Sequence, residues 1–156
     1  MKTSALLRTI TFLVILSAAG NRLFAHCEIP CGIYDDSLRV QLIAEHIGTV
    51  EKSMRTIRSL EKEKSVNYNQ LVRWINNKEA HALKIQDIVT QYFLHQRIKP
   101  AGKDDKKGYD AYCRELTILH RMLIAAMKCK QTTDTAHIKE LRELLKSFNG
   151  IYFKKK

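Results

Sequence analysis

The chain has little of the two residues that interrupt regular structure: its 156 residues include only 6 glycines and 2 prolines. A many-turned β-sandwich needs a turn signal roughly every 8–12 residues, so this scarcity excludes that class and favours long helices. No segment has the aromatic spacing of an RNA-binding sheet or the Cys/His spacing of a zinc-finger DNA reader, so nucleic acid is not an expected partner. The apolar run at 10–19 is too short to span a bilayer comfortably. There is no internal repeat, and the closing "KKK" reads as a solvated tail. Acidic residues are the minority, 16 against 27 lysines and arginines, for a formal charge of +11. With 45% hydrophobic and 28% charged residues, the composition suits one soluble domain with a real core.

Residues 1–25, "MKTSALLRTITFLVILSAAGNRLFA", place Lys2 and Arg8 ahead of the apolar run and end on Ala25. That is the layout of a secretory signal peptide, with an uncleaved N-terminal anchor as the alternative. Ala25 suits the last position before a cut, and Leu23 is acceptable two residues earlier. Signal peptidase is therefore the expected processing partner, membrane contact is transient, and the mature chain, 26–156, is exported to a periplasm or the exterior. The cut removes Lys2, Arg8 and Arg22 but no acidic residue, which takes the formal charge from +11 to +8. It also gives His26 a free α-amine.

From Asp35 onward the pattern is helical. Ile43, Ile47, Val50, Met54 and Ile57 recur at steps of four and three, which predicts a first helix near 36–62 with Asp35, Asp36 and Ser37 as capping candidates. "EKEKS" breaks the stripe. Leu71, Ile75, Ala82, Ile85, Val89 and Phe93 carry a second stripe to about residue 97, ended by Pro100 and Gly102. The run "PAGKDDKKG" reads as a loop, after which Tyr109, Tyr112, Leu116, Leu119, Leu123 and Ala126 mark a third helix. Thr132, Thr133 and Asp134 offer caps for a fourth, carrying Ile138, Leu141, Leu145 and Phe148. The expected fold is an all-α, up-and-down four-helix bundle over 35–156, preceded by a short segment, 26–34.

The mature chain contains Cys27, Cys31, Cys113 and Cys129. Cys113 and Cys129 fall on one predicted helix, sixteen residues and so about 24 Å apart, beyond disulfide reach. They are expected to be buried thiols, although pairing of either with Cys27 or Cys31 stays open. Cys27 and Cys31 could close a small disulfide loop or bind a metal, and spacing alone does not decide between the two. His26 favours metal. Its amine and imidazole, the backbone nitrogen of Cys27 and its thiolate are consecutive donors that close small chelate rings, and Cys31 adds a second thiolate. Nitrogen and sulfur donors held in one plane suit Ni(II) or Cu(II) better than tetrahedral zinc.

"HCEIPCGIYD" resembles the nickel hook of the nickel-containing superoxide dismutases, whose mature chains begin His-Cys-x-x-Pro-Cys-Gly-x-Tyr. Every fixed position is present from His26 to Tyr34. The resemblance implies a four-helix bundle, a nickel cofactor and superoxide as substrate, dismuted by Ni(III)/Ni(II) cycling. It further implies Ni(II) held by the His26 amine, the Cys27 amide nitrogen and the Cys27 and Cys31 thiolates, with the His26 imidazole joining as axial ligand in the oxidised state. Pro30 and Gly32 would shape the turn that returns Cys31 to the metal. Tyr34 matches the tyrosine over the open nickel face, where a phenol orders water and limits access. Family members are homohexamers, and the same is expected here. A positive surface would steer the anionic substrate.

The family also uses a glutamate and an arginine to orient the axial imidazole. Gln41 falls near the glutamate position with Glu45 one turn later, and the arginine position falls near "WINNK", which contains none. His46, His81, His95, His120 and His137 stand singly on the predicted helices and are expected to be surface or satisfied polar residues. The rival reading is an exported non-enzymatic helical protein, either a Ni/Cu carrier at His26, Cys27 and Cys31 or a disulfide-stapled binding module.

Overall fold

The computed structural model describes residues 34–155. Helix α1 spans Asp36–Leu60 and α2 spans Tyr68–Asp87, which runs on without a break into a π-helical segment, Ile88–Arg97. Helix α3 spans Lys106–Gln131, α4 spans Ala136–Tyr152, and a 3₁₀ turn, Phe153–Lys155, follows. Among the described residues there is no strand. Each helix packs on the next and α1 also packs on α4, so consecutive helices circle one core; their short connections make neighbours antiparallel. The bundle is a compact unit from Asp35 onward. No helix among the described residues is long and apolar enough to cross a membrane.

Caps set the helix starts. The Asp35 carboxylate accepts from the backbone N–H of Leu38 at 2.9 Å, and this hydrogen bond holds its pKa below the usual carboxylate value. Asn67 caps α2 through the N–H of Gln70, and Asp105 caps α3 through that of Gly108. The last cap corrects the sequence reading of "PAGKDDKKG" as loop: Lys106, Lys107 and Gly108 are already helical. Glycine at 108 leaves room for the Asp105 carboxylate against the backbone. At α4, Thr135 holds the cap position, while the Asp134 side chain accepts from the N–H of Ala136.

The core follows the apolar stripes for α1 and α4, where Ile43, Ile47, Met54, Leu141 and Phe148 are fully enclosed; on α3 Leu119 and Ala126 are enclosed as expected, but Tyr109, Tyr112, Leu116 and Leu123 are only half-buried and Met122 and Cys129 fill the core instead. Phe93, Phe148 and Tyr152 join in one aromatic cluster, with ring centroids 4.9–5.7 Å apart. The first half of α2 departs from the stripe. Ile75 is exposed, and Lys78 is buried instead. Its ammonium reaches the C-terminal end of α3, donating to the carbonyls of Cys129, at 2.9 Å, and Lys130, with Glu79 at 3.1 Å. A cation there satisfies carbonyls that the helix itself leaves unpaired and complements its dipole.

Two histidines are not single. His46 on α1 and His81 on α2 bring their Nδ1 atoms within 3.2 Å, with the rings nearly perpendicular. The sequence reading missed this because the two are 35 residues apart and only the α1/α2 packing register joins them. Burial holds both pKa values below that of free histidine; His81 beside His46, and Lys84 beside both, push the same way, while Glu45 opposes. The folded chain therefore resists protons that the unfolded chain accepts. Stability contributed by the pair is present above about pH 6.5 and is lost as pH falls through the lower folded values. The expected result is a denaturant midpoint that drops between pH 7 and 5.5, above the carboxylate window, and a flatter profile in His81→Gln.

Candidate metal centre

His26, Cys27 and Cys31 lie outside the described residues, as do the proposed signal segment, Pro30 and Gly32. Tyr34 is described: it stands one residue before the α1 cap, and its side chain is exposed. A phenol there can meet solvent, which the role suggested by the resemblance needs.

Two residues further on is a feature the sequence did not reveal. Asp36, the first residue of α1, is only 6% exposed, and its carboxylate gathers three donors. Tyr92 Oη donates to Oδ1 at 2.7 Å, Tyr152 Oη to Oδ2 at 3.0 Å, and Arg97 forks across both oxygens through Nε at 2.8 Å and Nη2 at 3.0 Å. The Arg39 guanidinium lies 5.0 Å from the centroid of the Tyr92 ring. Burial, then the hydrogen bond to Asp36, pushes the Tyr92 phenol up and that of Tyr152 to about 12, so both stay protonated donors. The hydrogen bond to Asp36 also raises Arg97 further, fixing its charge.

The π-helical segment makes this clamp possible. Residues five apart on an α-helix point about 140° away from each other. The wider i→i+5 winding brings Tyr92 and Arg97 to the same side, where both reach one carboxylate. The clamp ties the first turn of α1, the second half of the 68–97 helix and the last turn of α4.

Gln41 and Glu45 are exposed on α1. In "WINNK", Asn77 donates to Ser53 Oγ at 2.9 Å, and Ser53 in turn donates to the carbonyl of Thr49. Cys113 and Cys129 are free thiols on α3; Cys129 is buried as expected while Cys113 is only half-buried, and burial pushes the Cys129 thiol up to about 12, which keeps it protonated and inert. Among the described residues, no three His, Cys, Asp or Glu side chains come together as a metal cluster.

A four-helix bundle preceded in sequence by His26, Cys27 and Cys31 narrows the class to helical proteins with metal-ligating residue types ahead of the first helix. The family model for nickel-containing superoxide dismutase matches residues 21–156, and the chain belongs to that family. The match takes in the His26–Tyr34 pattern and the whole bundle together. No curated protein and no solved structure matches the chain. The protein is an oxidoreductase, a nickel superoxide dismutase, and nickel is its cofactor.

Proposed function

We propose that this enzyme works at the N-terminus of a processed, exported chain. Signal peptidase cuts after Ala25, and nickel is held by the His26 amine, the Cys27 amide nitrogen and the thiolates of Cys27 and Cys31. The observation that supports the metal site is the family match, which spans these donors, while the cut is supported by the layout of residues 1–25. The donor chemistry fits the metal: two thiolates and an amide nitrogen are strongly electron-donating and lower the potential of a nickel couple that is out of reach in water. Residues 34–155 offer no competing three-donor cluster.

Bound nickel supplies the one-electron Ni(III)/Ni(II) couple by which two superoxide ions and two protons become dioxygen and hydrogen peroxide. The chain's own groups do the rest. The His26 imidazole would add a further nitrogen donor to the nickel, and the exposed Tyr34 phenol would order water and limit access beside it. Protons arrive through water or the bound thiolates. The mature charge of +8 raises the encounter rate of an anion, and that rate falls with added salt. The assembly is a homohexamer, as the resemblance implies.

Intact-mass measurement of the exported protein tests the processing and the site together. The expected species starts at His26, holds one nickel and has both hook thiols reduced; an uncut chain or a Cys27–Cys31 disulfide would contradict the reading.

A further inference from the structure

We propose that His46 and His81 form a second metal site, a two-imidazole seat between α1 and α2 for a divalent ion of the copper, nickel or zinc class. The inference does not depend on which atoms of the hook hold the catalytic nickel.

Geometry carries it. The two Nδ1 atoms are 3.2 Å apart. With metal–imidazole bonds of about 2.0–2.1 Å, that bite subtends about 100–106° at the ion. The value lies between the roughly 90° of a square plane and the roughly 109° of a tetrahedron, so the spacing of the two nitrogens suits either class of ion. The rings sit on fixed backbone: Ile43, Ile47 and Val50 bury the same face of α1, and Ala82 and Ile85 do so on α2. Both rings are half-buried, so water can complete the coordination.

The protonation state is suitable. Both imidazoles are held below their usual pKa and are neutral at pH 7.5. In the hydrogen-bonded pair one Nδ1 carries a proton and the other accepts it. Moving that proton to Nε2 through solvent leaves two lone pairs for the ion and releases no net proton. The charged groups facing the pair are the Glu45 carboxylate on α1 and the Lys84 ammonium on α2, which offset each other; both side chains are exposed and can turn outward. Nitrogen donors exclude magnesium and calcium, which take oxygen.

The test uses the mature, nickel-loaded protein titrated with Zn(II) and, separately, Cu(II) at pH 7.5, with nickel counted alongside so that displacement from the hook is read separately. The expected result is one further equivalent per chain, retained in His120→Gln, whose histidine is exposed on α3, and lost in both His46→Gln and His81→Gln. Wild type should lose the added ion at pH 5.5. The Cu(II) signal of wild type should also show two nitrogen donors in its EPR hyperfine structure, a readout that needs no variant to fold. No further equivalent, uptake that only displaces nickel, or an equivalent kept by either His46→Gln or His81→Gln would overturn the proposal.

Discussion

Serine in place of Cys31 is expected to abolish nickel retention and superoxide dismutation together while the bundle stays folded. A hydroxyl is a hard, weakly acidic donor and cannot replace a thiolate on nickel at neutral pH. Partners one shell further out cost roughly 10–100-fold in metal affinity when removed, and loss of a direct thiolate should exceed that. Residue 31 also precedes the compact unit that begins at Asp35, so the helices keep their core contacts. Nickel content, activity and far-UV circular dichroism on one preparation check the prediction. Activity retained with nickel bound would place the metal on other donors.

Removing the Asp36 carboxylate should give the largest loss of stability among single substitutions of charged residues. In Asp36→Ala, Arg97, Tyr92 and Tyr152 lose the acceptor they share. Breaking a buried ion pair by deleting one partner costs about 3–5 kcal/mol. The Arg97 side chain keeps 20% exposure, which lets water soften the penalty, so about 3 kcal/mol and a fall in Tm of roughly 10 °C are expected. Asp36→Asn keeps an acceptor but not the charge, and should lose less. Urea unfolding of both variants measures the order; two midpoints equal to wild type would show that the clamp contributes nothing.

The hook and the clamp show which features one sequence can reveal. The pattern from His26 to Tyr34 is contiguous, so it can be read directly from the sequence, and the family match covers it. The helices are nearly as plain, because Ile43 to Ile57 and Ile138 to Phe148 repeat at the helical period. The Asp36 clamp joins residues 61 and 116 positions apart, and two of its members meet only because the chain winds as a π-helix near Tyr92. Neither the winding nor the register has a local signature. Lys78 is a similar case: a lysine in the middle of a helix reads as solvated, and only the end of α3 arriving against it explains its burial. The early start of α3 was hidden: Asp105 is a cap residue type, but no Glu or Gln follows three residues later, and the surrounding Pro, Gly and charge read as loop.

In the proposed site the free amine of His26 binds the metal. Superoxide dismutation should therefore be compared between two nickel-loaded chains, one starting at His26 and one with a single extra residue before it. Activity is expected only in the first, because the added residue turns the terminal amine into an amide; equal activity in both would place the metal on other donors.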